Sequence, residues 1–197
     1  MGASIQGWQH CRPVISVDGT FLKNKYLGTL LLAAALDGDN HIFPLAIAIV
    51  DSENDNSWEW FFMRLKDAIG EREVLVIVSD RKSSIPKAIG IVFPSAVHGI
   101  FMQHLLANVR SRFKTTHLDG IFYRCAKAYK RDKFEYYMRL MEATRPSIQS
   151  YLMEANYKKW ARSFFDRRRY NIMTTNISEC MNAILKEARG KLVVTLV

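Results

Sequence analysis

The chain has 197 residues, of which 49% are hydrophobic and 24% are charged, and its formal net charge is +9. This composition is typical of a globular protein with one sizeable core. No run of 18 apolar residues occurs, which argues against a membrane span. The three cysteines, Cys11, Cys125 and Cys180, are too scattered to indicate a disulfide framework.

The excess positive charge is confined to the second half of the chain. Residues 1–100 hold 9 Lys/Arg and 11 Asp/Glu, whereas residues 101–197 hold 19 and 8. Such an excess fits either a solvated set of basic helices or a surface for a polyanion, most often nucleic acid. Charge alone does not choose between these two interpretations.

Three strands are predicted at the start of the chain. The segment "PVISV" (13–17) predicts a short strand with Asp18 at its end. The segment 26–50 predicts a hairpin, because two apolar arms flank the turn pair Asp37-Gly38. Near-continuous apolarity in both arms indicates strands that are covered on both faces.

A change of period after the hairpin predicts a helix. Its apolar face consists of Trp58, Phe61, Phe62, Leu65 and Ile69. Asn56 and Glu59 have the spacing of a capping box at the amino end, and Gly70 is placed to end the helix.

The next segments alternate between strands and helices. "EVLVIVSD" (73–80) predicts a strand, a short helix follows with Pro86 near its start, and "AVHGIFM" (96–102) predicts a further strand. From Leu105 to about Arg169 the pattern is helical, aromatic and basic. A final helix is predicted in "TTNISECMNAILKEARG" (174–190).

A hairpin followed by strand–helix–strand units predicts an α/β fold, with a mixed sheet flanked by helices. The predicted organisation has three parts: a core of strands and first helices over 1–104, a basic helical insertion over 105–170, and a final core helix over 171–197.

Two aspartates follow two of the predicted strands. Asp18 and Asp80 would lie at strand carboxyl ends, where ligand sites gather in such sheets. Carboxylates that converge repel one another unless a cation neutralises them, and Mg²⁺ prefers oxygen ligands. Two such ions can support phosphoryl transfer. Glu179, in the first turn of the final helix, is the candidate for a third carboxylate.

Each of these residues also has a simpler interpretation. Asp18 precedes Gly19 and could make a turn, and Asp80 could cap the helix that follows it. Glu179 could reach back to the backbone of Asn176 as part of a capping box. The acidic triad becomes plausible only when the three residues are considered together on this order of elements.

Four segments carry a family resemblance. Residues 11–66, 76–89, 93–109 and 169–189 resemble the core of Mutator-like (MULE) transposases of plants. The resemblance implies a ribonuclease H-like fold with a helical insertion before the last acidic residue. It also implies a DDE triad of Asp18 in "VDGT", Asp80 in "VSDR" and Glu179 in "NISEC", which would be both the catalytic residues and the ligands of Mg²⁺ or Mn²⁺.

The activity implied by the resemblance is metal-dependent DNA strand cleavage and strand transfer at transposon ends in the nucleus. DNA is the expected partner, at transposon terminal repeats or sites derived from them, with no membrane and with self-association as an option. The residues expected to contact DNA are Lys23, Arg81, His104, Lys158, Lys159, Arg167, Arg168 and Arg169. The alternative is a domesticated, catalytically silent module that binds DNA or regulates transcription.

The sequence departs from the family where a Cys-x-x-His pair is expected. The segment "HGIFMQH" has Phe101 in the place of the cysteine and keeps His104. Either the lost cysteine impairs the chemistry, or Phe101 packs where a cysteine packed before. The family's flanking DNA-binding and zinc-finger regions have no counterpart here, which leads us to expect a fragment or a decayed copy.

Aromatic residues alternate with the basic residues of the predicted insertion. They include Tyr123, Tyr129, Trp160, Phe164 and Phe165. Such side chains could stack on distorted or flipped bases, but more often they form the core of the segment that carries them.

Overall fold

The structure, a computed structural model, describes residues 2–22 and 27–167. These residues divide into two compact units, one that ends at His98 and one that begins at Gly99. The final helix predicted over 174–190 lies outside the described residues. The three-part division of the chain at residues 104 and 170 stays a prediction.

The first unit is built around a five-stranded sheet. Its elements are α1 (Gly2–Trp8), β1 (Val14–Phe21), β2 (Thr29–Leu36), β3 (Ile42–Val50), α2 (Asp55–Ile69), β4 (Val76–Ser79), α3 (Ser84–Val92) and β5 (Val97–Ile100), which crosses the unit boundary. The strand order is β3-β2-β1-β4-β5. β2 pairs antiparallel with β1 and β3, and β1 pairs parallel with β4. This mixed sheet with flanking helices is the ribonuclease H-like arrangement, as predicted.

The hairpin of β2 and β3 turns where the sequence predicts. The Asp37 carboxylate accepts hydrogen bonds from the backbone N–H groups of Asp39 and His41, each at 2.9 Å. These bonds lower the pKa of the Asp37 carboxyl, and the bond from the His41 amide has the largest effect. A side chain that satisfies the turn's own backbone is the usual reason why aspartate occupies such positions.

Two predictions about the strands are wrong in part. β1 does not end at Asp18 but continues to Phe21, because Asp18 to Phe21 pair with Leu32 to Thr29 of β2. β2 is buried along almost its whole length, but the edge strand β3 is not covered on both faces, and Ile47 is 51% exposed. Apolarity therefore did not distinguish the central strand from the edge strand.

The helix α2 packs on the sheet as its periodicity predicts. Trp58, Phe61, Phe62 and Leu65 are buried, and Gly70 ends the helix with a φ of 70°. The N-cap, however, is Asn54 and not Asn56: the Asn54 side chain accepts from the Ser57 N–H at 2.9 Å. The predicted capping box of Asn56 and Glu59 is therefore wrong. A cap at Asn56 would start the helix at Ser57, whereas α2 starts two residues earlier, at Asp55.

Both faces of the central strands are buried. One face, with Ile15 and Val17 of β1 and Ile77 of β4, packs in one cluster with α2 and α3. The alternate positions point to the opposite face, as they must in a pleated strand. These residues are buried as well: Val14, Ser16, Leu30, Leu32, Ala34, Val76 and Val78. The direction of any β1 or β4 side chain therefore follows from the parity of its residue number.

The second unit is helical. Its elements are α4 (Met102–Phe113), α5 (Asp119–Lys127), α6 (Arg131–Thr144), α7 (Ile148–Glu154), α8 (Tyr157–Trp160) and a 3-10 turn (Arg162–Phe164). The core contains stacked rings of Phe122 and Trp160, whose centroids lie 5.5 Å apart. Cys125 lies in the same core, and burial raises the pKa of its thiol from 9.0 to about 12.

None of the helices over 2–22 and 27–167 combines the length and the apolar character that crossing a membrane requires.

Candidate active site

Asp18 lies on β1, and Asp80 directly follows the adjacent parallel strand β4. Ser16 of β1 pairs with Val78 of β4 in parallel register, and Asp18 and Asp80 each come two residues after these partners. Neighbouring strands lie about 4.8 Å apart. Asp18 shares the even parity of Ser16, so its side chain leaves the face opposite α2 and α3. Asp80 lies directly beyond the end of β4, where its own turn directs the side chain.

Asp80 is held by its own turn. Its carboxylate accepts a hydrogen bond from the Lys82 N–H at 3.0 Å. The Ser79 hydroxyl donates to the Asp80 carbonyl at 2.8 Å, and the same oxygen lies 2.9 Å from Nε2 of His98 on β5. The N-cap of α3 is Ser83, so Asp80 does not cap that helix. These contacts orient a half-buried carboxylate at the end of β4.

Asp18 lies within β1, opposite Leu32 of β2, and is half-buried. Because the strand continues through Gly19 to Phe21, the interpretation of Asp18-Gly19 as a turn is wrong. A strand position fixes the direction of the Asp18 side chain more firmly than a turn would.

The two carboxylates are suitable ligands for a divalent cation. They come from the ends of neighbouring parallel pairings, and their hard oxygen atoms are the donor chemistry that Mg²⁺ and Mn²⁺ prefer. Within the described residues no group of three His, Cys, Asp or Glu side chains is arranged to hold a metal. Glu179, the predicted third member, lies outside the described residues.

The structure separates the predicted DNA contacts into several places. Arg81 is exposed directly after Asp80 in the first unit. In the second unit, His104 is half-buried on α4, Lys158 and Lys159 lie on α8, and Arg167 is exposed. Lys23, Arg168 and Arg169 lie outside the described residues.

The sequence did not point to Glu53. It lies between β3 and α2 in "DSENDNSW", a polar stretch typical of a solvated loop, yet its side chain is only 5% exposed. Its carboxylate pairs with the Lys82 ammonium and accepts from Nε1 of Trp58 at 3.1 Å. An acid buried to this degree needs such partners, because an unpaired buried carboxylate would be strongly disfavoured.

Gly19 explains why Glu53 fits at this position. A Cβ on Gly19 would lie 2.8 Å from the carboxyl carbon of Glu53 and 2.9 Å from one of its oxygens. Any larger residue would therefore displace the Glu53 carboxylate. The pair "DG" at 18–19, which resembles a turn signal, is in fact a strand aspartate followed by the one residue type that leaves room for Glu53.

Phe101 is completely buried and precedes α4. Its ring centroid lies 5.9 Å from that of His104. This burial favours the interpretation in which Phe101 is a packing residue at the position of the family's cysteine.

We expect Phe101→Cys to lower the free energy of unfolding by about 2–4 kcal/mol, because a cavity replaces a buried ring. If Phe101 only packs, the DNA cleavage rate stays unchanged below the melting temperature. Chemical denaturation measures the first effect, and the same substitution at Phe21, which is 71% exposed, is the stability control. A rise in cleavage by Phe101→Cys would instead assign a functional role to the missing cysteine.

Part of the chain matches a known family. A mixed sheet with one carboxylate on a strand and a second directly after the adjacent parallel strand is an arrangement suited to metal-dependent phosphoryl transfer. Residues 14–108, which include Asp18 and Asp80, match the family model described as MULE transposase domain. The match supports a transposase-type function. No curated protein matches the chain.

The solved structures that the chain matches have low sequence identity to it. The HTLV-2 integrase catalytic core domain in complex with magnesium is 13% identical, over 54% of this chain and 78% of that one, with a TM-score of 0.32. The catalytic domain of Mos1 mariner transposase is 8% identical, over 97% and 88%, with a TM-score of 0.32.

A third similar structure is the simian T-cell lymphotropic virus intasome in complex with PP2A regulatory subunit B56 gamma. It is 13% identical over 58% of this chain, with a TM-score of 0.35. The chain spans about half the length of that protein, since the match covers 49% of it.

Proposed function

We propose that the chain is the catalytic part of a MULE-type DDE transposase, which cleaves DNA strands and transfers them to new sites. The observation that carries this proposal is the placement of Asp18 and Asp80, each two residues after the paired positions Ser16 and Val78 of adjacent parallel strands. The match of residues 14–108 to the transposase family supports it independently of the geometry.

In this proposal Asp18, Asp80 and Glu179 hold Mg²⁺ or Mn²⁺. The bound metal supplies activation of the attacking oxygen and stabilisation of the leaving oxygen during phosphoryl transfer. The chain's own residues hold the carboxylates in position. The Lys82 N–H fixes the orientation of the Asp80 carboxylate, and the pairing of β1 with β2 and β4 fixes Asp18. Preorganised carboxylates avoid the cost of ordering them during the reaction.

The proposed substrate is DNA, at the ends of a transposon in the nucleus. The second unit provides a basic surface for its phosphates. One depression of about 380 Å³ on this unit is lined by Arg110, Lys114, Thr115, Thr116, His117 and Arg145. Arg110 is paired there with Asp119, and the other cations and hydroxyls have the chemistry that binds a phosphate oxyanion.

A nicking assay tests the proposed function directly. Supercoiled plasmid is incubated with the chain in Mg²⁺, in Mn²⁺ or in EDTA, and the nicked product is measured. The proposal expects nicking with either metal and none in EDTA. Equal nicking in EDTA would point to a contaminating or metal-independent nuclease. DNA binding without nicking in any metal would favour the alternative of a catalytically silent DNA-binding module.

Base stacking by the second unit is expected at one aromatic residue. Trp160 is fully buried, and Tyr123 and Phe164 pack against the core, so the core interpretation holds for these rings. Tyr129 is different: it is 76% exposed, and the guanidinium carbon of Arg162 lies 3.9 Å from its ring centroid. An exposed ring beside a cation is suited to stack on an unpaired base.

We expect Tyr129→Ala to weaken binding of a single-stranded oligonucleotide by about 5- to 150-fold, the range of one base-stacking contact. Binding of an abasic oligonucleotide of the same length should not change, because it presents phosphates without bases. Fluorescence anisotropy measures both affinities. Tyr136→Ala, at a tyrosine that is 50% exposed, is the control. An equal loss for both oligonucleotides would contradict the stacking role.

A further inference from the structure

We infer that Glu53 is a positioning residue for the two aspartates, and that it acts through Gly19 and Lys82. The inference rests on the proposed function, since it assumes that Asp18 and Asp80 carry the chemistry. Its evidence is separate, because it comes from the contacts of a buried carboxylate that the family match does not interpret.

Glu53 supports the site from the opposite face of the sheet. Gly19 faces the same side of β1 as Ile15 and Val17, because side chains alternate along a strand. A side chain at this position would therefore point toward α2 and α3. The Glu53 carboxylate occupies that space. Asp18 points to the other face. Glu53 therefore lies behind the β1 backbone and is not placed to share a metal ion with Asp18 and Asp80.

One contact of Glu53 fixes the β1 backbone beside Asp18. The Glu53 carboxyl carbon is 2.8 Å from the position that a Gly19 Cβ would take, so the carboxylate lies directly against the Gly19 backbone. The Nε1 of Trp58, which is completely buried on α2, holds this carboxylate in place at 3.1 Å. The position of β1 at Gly19 is thereby tied to the packing of α2.

The second contact of Glu53 fixes the turn that holds Asp80. The Lys82 ammonium pairs with Glu53, and the backbone N–H of the same lysine donates to the Asp80 carboxylate at 3.0 Å. Lys82 thus links Glu53 to Asp80 through one residue. Glu53 is joined to the neighbours of both aspartates, which are separated by 62 positions in the sequence.

The pair also balances charge behind the site. Glu53 places a negative charge close to two carboxylates, and the Lys82 ammonium neutralises it. A neutral side chain at position 53 would leave the Lys82 cation uncompensated near the aspartates, where it would oppose the binding of a divalent cation. The inference therefore predicts effects on geometry and on metal affinity that can be measured separately.

The test uses Glu53→Gln, Lys82→Gln and the double variant in the full chain. Glu53→Gln should lower the single-turnover cleavage rate at saturating DNA and metal by about 10- to 100-fold, as expected for a small misplacement of reacting groups. It should leave DNA affinity unchanged. Lys82→Gln should lower the rate similarly, and the double variant should be no slower than the slower single variant, because the two residues act as one unit.

Mn²⁺ binding, followed by the electron paramagnetic resonance of the unbound ion, separates charge from geometry. Glu53→Gln should raise the half-saturating Mn²⁺ concentration several-fold. The double variant, in which the charges balance again, should return it toward the wild-type value while its cleavage rate stays low. Glu73→Gln is the matched control: it is the same change at an exposed residue before the amino end of β4, and it should change neither quantity.

Two results would overturn the inference while leaving the proposed function intact. One is a lower melting temperature for Glu53→Gln with wild-type cleavage and Mn²⁺ binding at 20 °C below that melting temperature, which would make Glu53 a purely structural residue. The other is a double variant whose rate loss is the product of the two single losses. A wild-type chain that neither binds Mn²⁺ nor cleaves DNA would overturn the proposed function, and the inference with it.

Discussion

Replacing Asp18 or Asp80 by asparagine is expected to abolish metal-dependent cleavage while leaving the fold intact. Metal ions contribute several kcal/mol to phosphoryl transfer, and each 1.36 kcal/mol is tenfold in rate, so we expect a loss of about three orders of magnitude or more. Asparagine keeps an oxygen that can accept the Lys82 N–H at position 80. The turn after β4 should therefore survive the substitution.

The same variants should lose the stabilisation that the metal provides. A metal at 100 times its dissociation constant raises the free energy of unfolding of the wild-type chain by about 2.7 kcal/mol. For a chain of this size that corresponds to roughly 5–10 °C in melting temperature. Differential scanning fluorimetry with and without Mn²⁺ measures the shift, which should be small or absent in Asp18→Asn and Asp80→Asn.

Asp39→Asn is the control for this experiment, because Asp39 is exposed in the hairpin turn and is distant in sequence from Asp18 and Asp80. It should keep the full Mn²⁺ shift and full cleavage. An Asp80→Asn variant that retains the wild-type shift would show that Mn²⁺ binds elsewhere on the chain. Persistent cleavage in that variant would remove Asp80 from the proposed mechanism.

The fold was largely predictable because its signals are short-range. The hairpin turn depends on Asp37, whose carboxylate bonds to amides two and four residues away. The buried face of α2 depends on a period that any helix of that sequence would show. Asp18 and Asp80 could be proposed as site residues for the same reason, since each comes within two residues of a short apolar run in the sequence.

The support behind the aspartates could not be predicted, because it depends on proximity between distant segments. Glu53 is separated from Lys82 by 29 positions and from Gly19 by 34, and nothing in the local sequence indicates that its side chain is buried. Gly19 is misleading for the same reason. Its lack of a side chain serves a contact with Glu53, whereas the local pattern indicates a turn.

Two further differences concern the start of α2 and an additional helix at the amino end. Asn54 and Asn56 are both good N-cap residues by type, and the structure uses Asn54, whose side-chain amide also donates to the Ser52 hydroxyl at 2.9 Å. The helix α1 was not predicted. It is held by tertiary contacts of Trp8, whose ring lies 4.9 Å from the Arg72 guanidinium carbon and whose carbonyl accepts from the same side chain.

DNA affinity is expected to fall steeply as salt rises and to depend little on DNA sequence. The excess positive charge lies in residues 101–197, and phosphate contacts release counterions when they form. A protein that contacts 6–10 phosphates loses about 10³- to 10⁵-fold in affinity between 50 and 200 mM salt. Binding of a random-sequence duplex, measured by fluorescence anisotropy over that range, gives the slope.

Single neutralisations locate the surface that produces this slope. Lys158→Gln and Arg167→Gln should each reduce the slope by about one unit, because each removes one phosphate contact. The loose pair of Lys158 with Asp166, at 3.9 Å and largely exposed, contributes too little to offset such a contact. Arg64→Gln, at an exposed arginine of α2 paired with Asp67, should leave the slope unchanged. If Arg64→Gln lowers the slope as much as the other two variants, DNA does not bind preferentially to the second unit. A slope near zero in the wild-type chain would remove the phosphate surface altogether, because each phosphate that a Lys or Arg neutralises releases counterions and adds to the slope.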